Sequence, residues 1–252
     1  MTFPTKQDPD SASQKPGNDK PTIAQKEQVR DMFNAIAPKY DLLNHLLSAG
    51  IDITWRNKVI RIINKLKHDQ ILDVATGTGD LAITAAKLKP EKIEAVDISG
   101  EMLKFQAVKL KKKNLETLIN LTQADGENLP FPDETFDIAM VAFGVRNFEN
   151  LQKGLKEMQR VLKKGGHIVI LEFSNPTKFP ENQLYTFYFR QILPLVGKWV
   201  SKSNNAYTYL PDSVGYFPSG EAFTKYLNEA GFSTTKIRSL TFGIASIYTG
   251  KK

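Results

Sequence analysis

The sequence predicts an open α/β fold, a mostly parallel seven-stranded sheet with helices on both faces. Three observations carry it. From Gln70 onward, short β-rich runs alternate with helical patterns, as they do when strands are joined by crossover helices. A glycine turn, Gly77-Thr78-Gly79, falls where the first run meets its helix, the place at which such sheets bind ligands. The chain has 252 residues, 41% apolar and 24% charged, a balance that suits one domain with a single sizeable core.

The elements follow in order. Residues 1–22 are rich in Pro, Asp, Ser and Lys and hold no apolar h-region, so they read as a disordered tail and not a secretory signal. The expected location is cytosolic. The domain is expected to span 23–252, with 23–68 as an N-terminal helical cap in which Gln25–Leu47 is helical and broken at Pro38. The first strand is expected at Gln70–Ala75, its helix at Asp80–Leu88 and the second strand at Lys92–Asp97. Ser99 is a good N-cap for a helix whose Met102, Leu103, Gln106 and Leu110 share one face. Strands at Leu118–Gln123 and Phe136–Phe143 flank a loop, Glu127–Glu134, that Pro130 and Pro132 keep irregular. A helix over Asn150–Leu162 is expected to end in a glycine cap at Lys163-Lys164-Gly165-Gly166, before a strand at His167–Phe173. Ser174–Phe217 is irregular and aromatic. A helix at Ser219–Ala230 and two strands, Ser233–Leu240 and Ile244–Tyr248, joined by a tight turn at Thr241-Phe242-Gly243, complete the chain.

Composition excludes several function classes. No cysteine occurs, so disulfides, thiolate metal sites and thiol nucleophiles are ruled out, and no metal is expected. The three histidines, His45, His68 and His167, are the available imidazoles; His45 alone has a plausible location, and no general base is named. Apolar runs such as Ile168–Phe173 and Ile138–Phe143 are strand-sized, far below the roughly 20 residues that span a bilayer. The net charge of +7 suits an anionic surface or nucleic acid, but part of it lies in Lys109, Lys111, Lys112 and Lys113, read as a solvated helix end. No arginine-rich stripe or aromatic interleaving marks a nucleic-acid binder.

Charge chooses the ligand of the glycine turn. Asp73 and Asp80 flank it, and two carboxylates repel a pyrophosphate but suit an ammonium and a sulfonium, the cations of S-adenosylmethionine. Gly77, Gly79 and Ala82 supply the loose G-x-G-x-x-A spacing. Asp97, at the end of the second strand, is placed to accept from two ribose hydroxyls; its alternative is a helix-capping role before Ser99. Asp125 fits an acceptor for the adenine amino group, with Gly126 leaving room for the ring.

The motifs Lys39-Tyr40-Asp41-Leu42-Leu43-Asn44, Leu47-Ser48-Ala49-Gly50, Trp55-Arg56, Phe143-Gly144-Val145-Arg146-Asn147 and Leu171-Glu172-Phe173-Ser174-Asn175-Pro176 resemble those of the ubiquinone/menaquinone biosynthesis C-methyltransferases, as does the stretch Tyr207-Thr208-Tyr209-Leu210 to Phe217-Pro218. The resemblance covers roughly residues 25–250. It implies a class I methyltransferase Rossmann-like fold, S-adenosylmethionine as methyl donor, and cofactor contacts from Thr78, Asp97, Asp125 and Gly126. A fifth family position, often serine, is Ala142 here and brings no hydroxyl. The implied reaction is C-methylation of a membrane-resident polyprenyl quinol, demethylmenaquinol to menaquinol, with 2-methoxy-6-polyprenyl-1,4-benzoquinol as the alternative acceptor.

On the substrate side, Arg146 is the candidate cation for a phenolate and Asn147 a donor to the second ring oxygen. Their alternatives are a solvated loop residue and the N-cap of the following helix. Tyr40 and Asn44, four apart on one helix, can face the site together. Phe179, Tyr185, Phe187, Tyr188, Phe189, Trp199, Tyr207, Tyr209, Tyr216 and Phe217 crowd 174–217, which is expected to form an aromatic lid and tail tunnel that touches an anionic membrane surface. A homodimer is also considered. Rival classes are an RNA methyltransferase and a non-catalytic adenosylmethionine-binding scaffold of a quinone-synthesis assembly. The intact Gly144-Val145-Arg146-Asn147 element speaks against the scaffold, and the absence of Asn/Asp-Pro-Pro-Tyr after the fourth strand speaks against nitrogen methylation.

Overall fold

The computed structural model describes residues 26–48, 50–174, 183 and 213–252. The expected tail, and the expected lid apart from Ser174, Gln183 and residues 213–217, lie outside the described residues. The sheet contains β1 (Gln70–Val74), β2 (Lys92–Asp97), β3 (Ile119–Gln123), β4 (Phe136–Ala142), β5 (Leu162–Phe173), β6 (Ser233–Leu240) and β7 (Ala245–Lys251). Its order is β3-β2-β1-β4-β5-β7-β6. The first five strands are parallel, while β7 runs antiparallel to both β5 and β6. The strand order reverses between β1 and β4, so the connections leaving their carboxyl ends diverge and open a crevice.

Strand period sorts the apolar residues. Ile71, Ile138, Met140, Val169 and Leu171 face one core. Leu72, Val74, Ala139, Val141, Ile168 and Ile170 face the other. Both faces are dry, which is why these strands read as continuous apolar runs. The first core is closed by α3 (Ile51–Ile63) and α4 (Asp80–Ala85), with Leu110 of α5 (Gly100–Lys113) joining it. The second is closed by α6 (Leu151–Val161) and α7 (Glu221–Glu229), through Leu155, Met158, Phe223 and Leu227. Phe217, counted in sequence among the lid aromatics, belongs to this second core, whereas Tyr216 is exposed.

Most local signals hold. Ser99 caps α5 by accepting from the Met102 N–H at 3.2 Å. Asn150 caps α6 by accepting from Lys153, so Asn147 is not the cap. The cap folds as α1 (Lys26–Ile36) and α2 (Tyr40–Leu47) around a 3₁₀ turn, Ala37–Lys39, with Pro38 in its first turn. The glycine pair after α6 is a correction. Leu162 is already extended and pairs with Phe136, so Gly165, at φ 82°, sits inside β5 beside a register shift and does not cap the helix. Pairing with β4 overrides the local cap signal. Residues 23–68 are also more than a cap: Trp55, Val59, Ile60 and Ile63 of α3 lie in the first core.

Candidate active site

Two adjoining clefts open over the carboxyl ends of β1 and β4. The larger encloses about 670 Å³ of space, part of it open solvent; Lys26, Phe33, Asp97, Asp125, Phe143 and Asn147 are among its walls. The smaller, about 330 Å³, is lined by Arg56, Asp73, Thr76, Thr78 and Asp80 among others. Tyr40, Ala75, Gly77 and Ala142 line both and form the boundary between them.

Chain geometry builds this boundary. Gly77 and Gly79 have φ of 59° and 86°, a left-handed conformation that side chains disfavour. The turn brings the Gly77 N–H to Asp97 Oδ2 at 2.8 Å, and Ser99 N–H donates to Oδ1 at 2.8 Å. A carboxylate has about four lone-pair sites, so each oxygen keeps one for a ribose hydroxyl. Asp97 is thus a turn organiser that keeps lone pairs for the expected ribose contact. Its burial pushes the carboxyl above the ordinary aspartate range, against the hydrogen bonds from Ser99 and Gly77.

Asp73 is buried, and Thr76 Oγ1 donates to its Oδ2 at 2.7 Å. Its Oδ1 meets no donor at hydrogen-bond geometry, while the Ala82 N–H lies close to the carboxyl group. Burial pushes this carboxyl up to about 7, against the Thr76 hydrogen bond. An unpartnered buried carboxylate oxygen on a cleft wall fits an ammonium. A bound cation favours the ionised form, so affinity for S-adenosylhomocysteine is expected to rise as pH rises through about 7 and to fall below it. Without ligand the sign reverses. Between 3.8 and about 7 the native state holds the proton that the unfolded state has lost, so this group's contribution to stability declines as pH rises. Calorimetry from about pH 6 to about pH 8, in buffers of different ionisation heat, checks both the trend and the proton release. A flat profile would place the ammonium elsewhere.

Asp80 is corrected. Lys109 Nζ lies 2.8 Å from its Oδ1, 2.5 Å from Asp41 Oδ2 and 3.1 Å from Thr78 Oγ1. Lys109 is therefore not part of a solvated face, although Lys111, Lys112 and Lys113 are exposed. Two half-buried carboxylates crowd this turn, and the lysine reaches back from α5 to offset their charge. Thr78 Oγ1 donates to Asp41 Oδ1 at 2.5 Å, so α2 is fastened to the glycine turn that the cofactor is expected to touch.

The Asp125 side of the larger cleft is roofed by α1. Lys26 Nζ stands 2.6 Å from Asp125 Oδ2 and 3.3 Å from the buried Glu127 Oε2. Ser99 Oγ donates to Asn34 of the same helix at 2.6 Å. Asp125 lines the cleft as expected but already has a cation beside it. Gly126 lines the cleft, and a Cβ there would also stand 2.8 Å from the Phe148 ring and 2.9 Å from Val74. Phe148, also crowded by Gly154, forms the wall, so the missing side chain makes room for the protein's own ring.

Of the residues expected on the acceptor side, Tyr40 lines both clefts and receives a hydrogen bond from the Asn44 amide, which brings the expected pair together. Burial pushes the Tyr40 phenol above its ordinary value, against Asn44 and the nearby Arg146 and Arg56, so it stays protonated and acts as a donor. Asn147 lines the larger cleft, and its amide lies 3.5 Å from the Phe143 carbonyl. Arg146 is corrected in position. It is turned from the cleft into a buried ion pair with Glu172 on β5, at 2.8 Å, and its guanidinium stands 5.5 Å from the centroid of the Phe173 ring. Glu172 is fully buried and needs that charge. His68 and His167 sit before β1 and early in β5, away from this end of the sheet; the His45 side chain lies outside the described residues.

Sequence reasoning did not single out Lys26, Glu127, Phe148 or Glu172 as site residues. Lys26 and Asp125 are 99 residues apart, and no local signal joins them.

Comparison with known proteins agrees with this geometry. Residues 21–252 match the model of the ubiE/COQ5 methyltransferase family. The demethylmenaquinone methyltransferase of Bacteroides fragilis is 49% identical over 90% of this chain and 93% of its own. The ubiquinone/menaquinone biosynthesis C-methyltransferase UbiE of Geotalea daltonii is 45% identical over 90% of this chain and 97% of its own. Among solved structures, a SAM-dependent methyltransferase from Aquifex aeolicus superposes with a TM-score of 0.56 at 21% identity, covering 78% of this chain and 88% of that one, a likeness of fold alone.

Proposed function

The chain belongs to the ubiE/COQ5 methyltransferase family, and from that membership we propose that it transfers a methyl group from S-adenosylmethionine to a ring carbon of a polyprenylated quinol, converting demethylmenaquinol to menaquinol. The observation that carries the reading is the meeting of the two clefts at Tyr40, Ala75, Gly77 and Ala142. An acceptor for a ribose diol stands on one side and an unpartnered buried carboxylate oxygen on the other. When bound, S-adenosylmethionine supplies a methyl carried on a sulfonium.

The chain's own residues then align and polarise. Asp97 holds the ribose, Asp73 takes the ammonium, and Tyr40 closes the boundary where the two clefts join. An acceptor ring in the larger cleft meets Asn147 and Phe143 on its wall, where the Asn147 amide can donate to a ring oxygen as negative charge develops. Arg146 acts one layer behind as a positioning residue. Paired with Glu172, with its own N–H 3.3 Å from Glu172 Oε2, it pins the turn that carries Asn147, and its charge reaches Tyr40.

A polyprenyl tail keeps the acceptor in a bilayer, and no helix among the described residues is long and apolar enough to cross one. Collection of the quinol at an anionic lipid surface is part of the proposal, drawn by the net charge of +7; salt-sensitive sedimentation with anionic vesicles tests it. A strain lacking this gene is expected to accumulate the unmethylated naphthoquinone. Accumulation of a methoxy-benzoquinone precursor instead would assign the alternative acceptor.

A further inference from the structure

The smaller cleft holds a cation that neither the ribose contact nor the ammonium contact uses. Its polar walls are Tyr40, Asp73, Thr76, Thr78, Asp80 and Arg56, the last being the lone lysine or arginine among the described residues that line it. The Arg56 side chain is 8% exposed, fixed on α3 by an ion pair with Asp52 four residues earlier, which itself accepts from Ser48 Oγ at 2.6 Å. Its guanidinium lies 5.7 Å from the centroid of the Phe143 ring. The second terminal nitrogen stands 3.9 Å from Asp80 Oδ2, an ion pair too long for a hydrogen bond. Lys109 stands 2.8 Å from Asp80 Oδ1 on the other side, so that carboxylate is shared between two cations.

Resting on the S-adenosylmethionine reading, we propose that Arg56 binds the α-carboxylate of the cofactor's methionine end. That end carries an ammonium and a carboxylate, and neither enters a protein cleft without a charged partner. Asp73 offers a bare oxygen to the ammonium. The carboxylate is repelled by both aspartates and finds in Arg56 a planar fork suited to two-point recognition. The two ends of the amino acid are thereby fixed in opposite senses, which orients the sulfonium towards the boundary at Tyr40.

Calorimetry with three ligands tests this on the whole chain: S-adenosylhomocysteine, its decarboxylated analogue, and methylthioadenosine, which lacks the amino-acid end altogether. The unsubstituted protein is expected to prefer the carboxylated ligand by about 10- to 100-fold, the range for a charged hydrogen bond. In Arg56→Met/Asp52→Asn, which removes the pair together and leaves no unpaired buried aspartate, the two homocysteine ligands should bind alike while methylthioadenosine binds as before. Arg56→Lys should keep part of the preference. Equal binding of both homocysteine ligands to the unsubstituted protein overturns the proposal. So does a preference that survives in the double variant, or a loss of methylthioadenosine binding in both variants, which would make Arg56 a scaffold of the whole cleft. Failure of the unsubstituted protein to bind any of the three would overturn the cofactor reading itself.

Discussion

Replacing Asp97 by alanine is expected to weaken S-adenosylhomocysteine binding by about one to two orders of magnitude, the effect of removing a charged acceptor worth about 1.5–3 kcal/mol. The side chain has two tasks. It keeps lone pairs for the ribose hydroxyls, and it holds the Gly77 and Ser99 N–H groups that shape the turn. Methylthioadenosine carries the same ribose, so its affinity should fall with that of the full ligand, unlike the outcome expected at Arg56. Calorimetry reads both. An alanine variant that binds either ligand normally would remove Asp97 from the cofactor site.

The second large effect is on stability and is asymmetric. Arg146 and Glu172 form a buried ion pair, with side-chain exposures of 7% and 0%. Glu172→Gln leaves a guanidinium that cannot lose its proton, and an uncompensated buried charge costs roughly 3–5 kcal/mol. For a chain of this length, the melting temperature should drop by about 10 °C. Arg146→Met leaves a carboxyl that can escape by taking a proton, since burial already pushes Glu172 above the ordinary glutamate range. Arg146→Met should therefore be the milder change. Its stability should also fall as pH rises above the unfolded glutamate value of 4.5, because the native state now holds the extra proton. Arg146→Met should retain adenosylhomocysteine binding and lose turnover through misplacement of Asn147. Thermal melts of both variants between about pH 5 and pH 8 decide the matter. If Glu172→Gln melts with the unsubstituted chain, the pair is not what holds the turn.

What was readable in the sequence was local or periodic. The glycine turn, the Ser99 cap, the break at Pro38 and the apolar strands each depend on a few adjacent residues, and each forms as expected. The place of Asp97 on the cleft wall was legible because the end of the second strand keeps a fixed spacing from the glycine turn in such sheets. What escaped depends on partners distant in sequence. Lys109 has the helix-end context of a solvated lysine, and only the folded chain brings Asp41 and Asp80 under it. Gly165-Gly166 after a lysine pair has the composition of a helix cap, yet pairing of Leu162 with Phe136 draws the segment into β5. Arg146 was read as facing the acceptor because nothing local shows that Glu172, 26 residues later, must be neutralised. Residues 51–63 lack a clear cap signal, with Gly50 at the N-cap, so α3 drew no notice as an element and Arg56 stood out only within its motif.

The central claim is that the two clefts serve carbon methylation of a quinol, and methyl transfer by the purified protein tests it most directly. With methyl-labelled S-adenosylmethionine and a short-tailed demethylmenaquinol kept reduced, the label is expected on the ring carbon next to a phenolic oxygen. It should appear in a product that oxidises to the methylated quinone, with one equivalent of S-adenosylhomocysteine formed. Label recovered as an oxygen-bound methyl ether, or no transfer from protein shown by calorimetry to bind the cofactor, would contradict it.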